Sequence, residues 1–428
     1  MNYEKQLVVN ERTGEKYYYI KHPSGLSIYV MEMEGYNTAY ALFGTKYGSI
    51  NTTFKTKKDA DYVTVPEGIA HFLEHKLFEN EDCDVFELYA KTGASGNAYT
   101  SFNKTAYLFS CTSNFKESLS ILLDFVQKPY FTQATVDKEQ GIIGQEIKMC
   151  EDNPYRAVLF NLLKAVYYKH PIRIDIAGTV ESIAKIDADL LYRCYNTFYN
   201  LHNMVLSVAG NCKVDDVLEV ADKLLKPCED FELRSIFPDE PSGVAQSECV
   251  CKMPVGVPIF AVGFKASPCI GAQMIKKEYE SAFLMDLIFG PTSEFYKKNL
   301  EAGLINSTFG SETIDGEGFF VNIIEGESKD PVKLRELINE EIKRVKREGI
   351  SREDFNDMKK SRYASAIRAF ANVESCASLM LDSYINSAQP FDAIETLASL
   401  KYEDVMGAID ELLCQENSSL SIVEPAQQ

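Results

Sequence analysis

One short segment constrains this chain more than any other, because it brings two of the five histidines within four residues of each other. The segment has the sequence EGIAHFLEHKLF and spans residues 67–78. Its apolar residues recur at helical spacing, which predicts a helix. One face of that helix carries His71, Glu74 and His75, since positions i, i+3 and i+4 are neighbours. Such a group can hold zinc and supply a base to a water molecule; the alternative is a histidine pair on a solvated helix face.

A catalytic zinc site needs a third protein ligand and one position left open for water. The remaining histidines are predicted to be surface or turn residues: His22, His170 and His202. Carboxylates are therefore the remaining candidates. A predicted helix over residues 133–152 carries Glu139 and Glu146, which are seven residues, close to two turns, apart and so share a face. Glu146 stands among isoleucines and is a candidate third ligand, whereas composition alone favours an ordinary pair of glutamates on a helix face.

Composition limits the partners and the compartment. The formal net charge of -19 argues against nucleic acid as a partner, because affinity for phosphate depends on Lys and Arg. It suits a cationic peptide substrate, or simply solubility. The 11 cysteines are scattered without a CxxC pair, which is typical of a reducing compartment. The first residues lack the apolar stretch of a signal peptide, and no run reaches the roughly 18 apolar residues of a membrane span, so we expect a cytoplasmic protein outside the membrane.

Segments rich in β-branched and aromatic residues alternate with segments of helical periodicity. A polar, proline-bearing stretch over residues 227–247 is the predicted linker. It separates an N-terminal domain, residues 1–226, from a C-terminal domain, residues 248–428, in which a similar order of elements begins again. The predicted fold class is α+β: two similar halves, each a mostly antiparallel sheet with helices packed on one face, which enclose a chamber. The second half has no HxxEH motif, so it is predicted to have the fold without the metal.

The combination of motifs resembles the inverzincin zinc peptidases, the family of pitrilysin, insulinase and the processing peptidases. The HFLEH motif is followed about 70 residues later by a Glu-x6-Glu helix, as in that family. Three further segments match its pattern: Gly68–Ala70, Gly96–Thr100 and Gly178–Ile183. The similarity covers nearly the whole chain and is greatest for the small two-domain bacterial members.

The resemblance implies a role for each residue that matches the family's motifs. The ligands of one zinc ion per chain would be His71, His75 and Glu146. Glu74 would be the general base, and Glu139 would assist catalysis or orient His75. Asn97 and Ala98 would present an edge strand to which an extended peptide adds as a further strand.

The chain departs from the family pattern in its second half. Self-sufficient members carry an Arg and a Tyr there, which stabilise the oxyanion near the scissile carbonyl. The matching positions here are Asn299 or Leu300 and then Asn306. We therefore expect a homodimer or heterodimer in which a subunit of similar fold supplies the Arg/Tyr pair.

The sequence and the resemblance together predict a zinc-dependent metalloendopeptidase that cleaves short or unfolded peptides. It would be the catalytic subunit of a two-subunit processing-type peptidase. Two alternatives stay open. One is a non-catalytic or weakly active peptide-binding scaffold on the same fold, and the other is a hydrolase acting on a non-peptide substrate.

Overall fold

The computed structural model describes residues 3–81 and 84–426 of the chain. They fall into two units, each built from three separate segments. Unit 1 contains the segments Met1–Ile147, Asp175–Ile236 and Ala366–Pro390. Unit 2 contains the segments Lys148–Ile174, Phe237–Ser365 and Phe391–Gln428. The predicted domains, residues 1–226 and 248–428, divide the chain by sequence order rather than by contact, and that division stays a prediction.

The strands are short to medium in length and occur in both units. In chain order, the strands of the described residues are β1 (Gln6–Val9), β2 (Lys16–Lys21), β3 (Ser27–Glu32), β4 (Ala39–Thr45), β5 (Thr53–Lys55), β6 (Val63–Thr64), β7 (Ser95–Thr100), β8 (Thr105–Cys111), β9 (Met204–Gly210), β10 (Arg234–Ser235), β11 (Glu248–Met253), β12 (Ile259–Lys265), β13 (Gly310–Gly316), β14 (Phe319–Glu327) and β15 (Ser418–Pro425).

The helices include the two that the sequence predicts to carry the site. In chain order, the α-helices of the described residues are α1 (Ile69–Leu77), α2 (Val85–Thr92), α3 (Phe115–Val126), α4 (Gln133–Glu151), α5 (Pro154–Val166), α6 (Val180–Ile183), α7 (Ala188–Phe198), α8 (Val214–Leu224), α9 (Ala272–Phe289), α10 (Glu294–Glu301), α11 (Pro331–Glu348), α12 (Arg352–Ala369), α13 (Val373–Ile385), α14 (Asp392–Ser399) and α15 (Tyr402–Leu412). Among the described helices, none combines the length and the apolarity needed to cross a bilayer.

The larger sheet of unit 1 has seven strands in the order β1-β2-β3-β9-β4-β8-β7. Neighbouring strands are antiparallel, except that β3 and β9 run parallel. Within the described residues, β7 has a strand partner on one side only, so its outer edge presents main-chain groups to which a further strand can pair. A smaller sheet of three strands has the order β10-β5-β6.

Alternation along the central strands separates the two faces of the larger sheet. On one face, Phe43 lies opposite Leu206, and both are buried in a core to which α1, α3, α7 and α8 contribute. The other face is covered by α13. A Cβ at Gly44 would lie 2.5 Å from a methyl carbon of Leu381, and Ser207 donates a hydrogen bond to a carbonyl of α13 at 2.6 Å. Unit 1 therefore depends on a segment from near the end of the chain.

The sheet of unit 2 has five strands in the order β11-β15-β12-β14-β13. β11 and β15 run parallel, and the other pairs are antiparallel. Helix α5 approaches β12 so closely that a Cβ at Gly263 would lie 3.0 Å from Leu162. Helix α9 is tied to β14 by a hydrogen bond from Ser281 to Asn322. The predicted α+β class with mostly antiparallel sheets is confirmed.

Part of the segment predicted as a linker makes specific contacts inside unit 2. The Lys265 ammonium donates hydrogen bonds to Glu240 Oε1 at 2.8 Å and to the carbonyls of Pro241 and Gly243 at 2.7 and 2.9 Å. The two charged side chains are only 7% and 10% exposed. A buried charge is tolerated when it is paired and hydrogen-bonded in this way, so residues 240–243 are anchored to β12.

Candidate active site

A tight backbone contact sets where α1 begins. Gly68 precedes the helix with a φ of 85°, in the left-handed region that favours glycine. A Cβ at Gly68 would lie 2.4 Å from the carbonyl oxygen of Ala177, and a Cβ at Gly178 would lie 2.6 Å from the carbonyl oxygen of Glu67. The two glycines of the matching segments therefore allow the two turns to meet, and this contact anchors the start of α1.

Helix α1 buries one side and turns the other towards the site. Phe72 and Leu73 are fully buried in the core of unit 1. The opposite side carries the three residues that the sequence predicts to share a face: His71, Glu74 and His75. The side chains of the two histidines are 12% and 27% exposed, so they are largely buried but still reached by solvent.

Helix α4 supplies the carboxylates. Its residues Ile143 and Ile147 are buried in the core of unit 1 and fix how the helix is rotated. Glu139 and Glu146 consequently point towards α1, with side chains that are 13% and 35% exposed. Ile142 lies three residues after the first glutamate and four before the second, and it remains 48% exposed.

Three side chains converge on one point. The Nε2 atom of His71 is 3.6 Å from one carboxylate oxygen of Glu146, and the Nε2 atom of His75 is 3.6 Å from the other. One ligand atom from each residue lies within 4.8 Å of the others. Atoms about 2.0–2.2 Å from a tetrahedral zinc ion are about 3.3–3.6 Å from one another, so the three residues fit zinc. In the described part of the chain, no other three His, Cys, Asp or Glu side chains are grouped in this way.

Glu139 holds the other ring nitrogen of His75. The distance from His75 Nδ1 to Glu139 Oε1 is 3.0 Å, so Nδ1–H donates and Nε2 is left to face Glu146. This hydrogen bond lowers the pKa of Glu139, and the charge of Lys76 adds to the effect. Burial alone lowers the pKa of His75, but the hydrogen bond to Glu139 and the surrounding carboxylates outweigh burial and raise it.

Glu74 lies beside the three convergent residues without being one of them. Its Oε2 atom accepts a hydrogen bond from Thr100 Oγ1 at 2.9 Å. Burial raises the pKa of the Glu74 carboxyl, the charge of Glu146 adds to this, and the contacts with Thr100 and His75 oppose it. A raised pKa makes a carboxylate a stronger base, which is the property that a general base near neutral pH needs.

The two predicted substrate-binding residues lie on the edge strand β7. Asn97 is exposed and opposite Leu108 of β8, and Ala98 is opposite Tyr107. The side-chain oxygen of Asn97 accepts a hydrogen bond from the main-chain N–H of Ala98 at 2.9 Å. The sequence does not predict this local bond, which satisfies one main-chain donor of the strand.

Sequence reasoning missed two residues next to the site, Thr100 and Lys76. Alternation places Gly96, Ala98 and Thr100 on one face of β7. This face meets the helices, since a Cβ at Gly96 would lie 2.6 Å from Tyr89 of α2. The alternate positions Gly96, Ala98 and Thr100 hold two small residues and then a hydroxyl residue, and this pattern could have indicated Thr100 from the sequence. Lys76 is fully buried and paired with a glutamate one turn on, and nothing in the spacing of the motif indicates this.

The histidines outside the motif do not contribute to the site. The prediction that they are surface or turn residues is correct for the turns but wrong for the exposure of His22 and His170, whose side chains are buried. His22 Nε2 lies 3.1 Å from Asp222 Oδ1, and His170 Nε2 donates to the Glu317 carbonyl at 3.1 Å. Such hydrogen bonds offset the cost of burying an imidazole. His202 is 30% exposed.

The positions that match the family's Arg and Tyr lie in unit 2. Asn299 is buried and its amide donates to the carbonyl of Phe295 at 2.8 Å, whereas Leu300 is 42% exposed. The amide of Asn306 donates to Glu327 at 2.7 Å. These side chains carry neither a positive charge nor a phenol, so they cannot stabilise an oxyanion as an Arg/Tyr pair does.

An HxxEH helix that faces a glutamate of a second helix, next to the edge of a mostly antiparallel sheet, is typical of the inverzincin zinc peptidases. Comparison with protein families agrees with this class. The family model described as insulinase (peptidase family M16) matches residues 64–180, and the one described as the peptidase M16 inactive domain matches residues 185–362. The chain belongs to the insulinase family, peptidase family M16.

Relatives extend over the full chain. The uncharacterized zinc protease YmfH of Bacillus subtilis (strain 168) is 39% identical over 420 residues, which cover 97% of this chain and 98% of that protein. A crystal structure described as an M16-like peptidase from Alicyclobacillus acidocaldarius superposes with a TM-score of 0.91 at 33% identity, covering 100% of this chain and 99% of that one. The mitochondrial-processing peptidase subunit beta of Caenorhabditis elegans is 33% identical over 162 residues, 36% of this chain and 35% of that protein.

Proposed function

We propose that this chain is a zinc-dependent metalloendopeptidase for short or unfolded peptides and acts as the catalytic subunit of a two-subunit peptidase. One observation carries the proposal. Three ligand atoms of His71, His75 and Glu146 converge at separations that suit one zinc ion, and a carboxylate that is not needed as a ligand, that of Glu74, lies beside them. The names of the full-length relatives, which include zinc proteases, support the same class of activity.

When bound, zinc would polarise the scissile carbonyl and make a water molecule nucleophilic at neutral pH. Proton transfer and the orientation of the ligands are assigned to residues of this chain. Glu74 takes a proton from the attacking water and passes it to the amide nitrogen of the leaving group. Its raised pKa suits both steps, because the carboxylate must first accept a proton and then release it. Glu139 holds the ring of His75 in the tautomer and orientation that a ligand needs.

The substrate is proposed to bind along β7 as an additional strand. The outer edge of this strand is unpaired in the described part of unit 1, and main-chain pairing there recognises extended backbone rather than a particular side chain. The hydrogen bond between Asn97 and Ala98 would be exchanged for one to the peptide. This mode of binding favours short or unfolded chains, since a folded protein has few strands free to pair.

The proposal of a second subunit is supported by the side chains at three positions of unit 2. Asn299, Leu300 and Asn306 occupy the matching positions, and Asn306 is already committed to Glu327. A partner of similar fold would bring the missing Arg/Tyr pair. One of the relatives, the processing peptidase of Caenorhabditis elegans, is itself named as a subunit. Robust turnover of unstructured peptides by the purified monomer would refute the two-subunit proposal.

The decisive test of the proposed chemistry is Glu74→Gln, assayed with zinc, with the partner subunit that copurifies and with an internally quenched unstructured peptide. The variant should bind zinc as the wild type does and lose cleavage by about 10²–10⁴-fold, the contribution of a general base. Glu87→Gln is the matched control, because Glu87 is an exposed glutamate on the neighbouring helix α2. Cleavage that persists in Glu74→Gln would show that Glu74 is not the base.

The same departure in unit 2 also favours a second candidate, a peptide-binding scaffold that does not cleave. The two candidates differ in a single-turnover experiment with the chain in excess over a labelled peptide. A scaffold would bind the peptide, detected by fluorescence anisotropy, and release it intact in the presence of zinc and of any subunit that copurifies. A catalytic subunit would release fragments under the same conditions.

A further inference from the structure

We propose that Thr100 is a positioning residue that holds the carboxylate of Glu74 in its working orientation. The Oγ1 atom of Thr100 donates to Glu74 Oε2 at 2.9 Å. Within the described residues, Thr100 is the one side chain that donates a hydrogen bond to Glu74. This inference rests on the proposed function, because orientation matters only if Glu74 is the base.

The surroundings of Thr100 direct its proton to Glu74. Thr100 is paired with Thr105 across the β7–β8 hairpin, and their hydroxyl oxygens are 3.4 Å apart. Thr105 is fully buried and donates its own proton to the Tyr47 carbonyl at 2.8 Å, the shorter of its two contacts. The Thr100 hydroxyl has a single proton, and the Glu74 carboxylate at 2.9 Å is a nearer and more strongly accepting partner than the Thr105 hydroxyl at 3.4 Å, so Thr100 donates to Glu74. A β-branched side chain in a strand has few rotamers, so the donor is held in place.

The consequence for Glu74 is a division between its two oxygens. Thr100 occupies Oε2, which leaves Oε1 to accept the proton of a water molecule. Without that bond the terminal torsion angle of Glu74 would vary over a broad range, and Oε1 would point away from the water molecule for part of the time. A catalytic group must be held within about 0.5 Å of its productive position, so this lost alignment would reduce the rate.

The position of Thr100 in the chain adds a further consequence. It is the last residue of β7, the strand proposed to pair with the peptide. The peptide backbone and the general base are therefore positioned by the same strand. Binding uses the outer edge of β7, and the base is held by its helix-facing side. Removal of the hydroxyl should lower kcat and leave KM nearly unchanged.

The test compares Thr100→Val, which keeps the shape and removes the hydroxyl, with Thr100→Ser, which keeps the hydroxyl. The full chain is assayed with zinc and with the partner subunit where one copurifies. In Thr100→Val we expect kcat to fall by roughly ten- to hundredfold, the range of a hydrogen bond to a charged group, while Thr100→Ser restores most of it. Thr100→Ala is a second variant in case valine impairs folding. Thr64→Val is the control, since Thr64 is an exposed strand threonine whose hydroxyl bonds only to Thr53 within the described residues.

A second measurement does not depend on activity. In crystals of the zinc-free protein, Glu74 should have one rotamer in the wild type and in Thr100→Ser, and several in Thr100→Val. Unchanged kcat in Thr100→Val, alongside an inactive Glu74→Gln, would overturn the positioning role and leave the proposed function intact. If the wild type cleaves nothing even with its partner subunit present, the proposed function fails, and the rotamers of Glu74 still decide whether Thr100 orients it. A single Glu74 rotamer in Thr100→Val would overturn the inference.

Discussion

Removal of Glu139 should weaken zinc binding even though Glu139 is not one of the three convergent residues. Its carboxylate lies 3.0 Å from His75 Nδ1, and its side chain is only 13% exposed, so water cannot easily replace it. A hydrogen bond with a charged partner contributes about 1.5–3 kcal/mol. Loss of such a partner typically costs 10–100-fold in metal affinity. We expect about tenfold weaker binding for Glu139→Gln, which keeps an acceptor, and about hundredfold for Glu139→Ala, which does not.

The effect should depend on pH, because zinc and protons compete for His75. Its pKa is raised in the metal-free protein, with the hydrogen bond to Glu139 as the largest raising contribution. Glu139→Ala therefore lowers the pKa of His75. The His75 ring of the variant stays neutral down to a lower pH than that of the wild type. The deficit in affinity should be largest above the raised pKa of His75 and should narrow as the pH falls through that pKa. In the metal-free protein the pair stabilises the fold below the ordinary pKa of histidine, and this stability is lost as the pH rises through the raised pKa.

The assay is competition between the protein and a chromophoric zinc chelator at several pH values. Asp137→Asn is the matched control, since it removes the same charge two residues earlier on α4, where Asp137 is exposed and accepts a hydrogen bond from Gln133 at 2.7 Å. Affinity in Glu139→Ala within twofold of the wild type would refute the reasoning. An equal loss in Asp137→Asn would show that the charge of the helix matters rather than the contact with His75.

Two further predictions concern stability. Gly68→Ala should lower the free energy of unfolding by about 2 kcal/mol or more, because a left-handed alanine costs about 1–2 kcal/mol and its Cβ would meet the Ala177 carbonyl at 2.4 Å. Urea unfolding checks this, and a loss below about 0.5 kcal/mol would contradict it. Burial lowers the pKa of His170 to about 4. The unfolded chain therefore binds a proton at a higher pH than the folded chain does, and the folded state loses stability as the pH falls from about 6.5 to about 4. His170→Asn keeps an acceptor for the Ile172 N–H and does not titrate. The free energy of unfolding of this variant should depend less on pH between about 6.5 and about 4. An unchanged pH profile would show that His170 does not cause the loss of stability.

The spacing of His71, Glu74 and His75 predicts a shared helix face, and α1 has it, because helical geometry over one turn is a local property. The predictions of the family and of the α+β class are also confirmed. Both rest on local features of the sequence, namely the HxxEH motif and the periodicity of the apolar residues. The approach of Glu146 to the histidines is different. It depends on how α4 is rotated in the core, and the sequence alone left it undecided between a ligand and an ordinary surface glutamate.

Tertiary packing also explains what the sequence did not predict. Ile142 belongs to the apolar pattern of α4 but is 48% exposed, because the helix turns the face with the glutamates towards α1 rather than into the core. Thr100 contacts Glu74 across 26 positions of the chain, a separation that no periodicity reports. The bond between Asn97 and Ala98 is local, yet it requires a particular side-chain rotamer.

The cover that α13 provides for β4 and β9 has a consequence for biosynthesis. Unit 1 contains the whole candidate site within its first 147 residues, but its last segment is Ala366–Pro390. Until α13 has been synthesised, a nascent chain therefore carries the HxxEH helix on a sheet with one apolar face bare. Premature termination or cleavage before residue 366 would expose that face and invite aggregation. The fold of unit 1, and with it the support of the candidate site, is thus completed only once α13 has been synthesised.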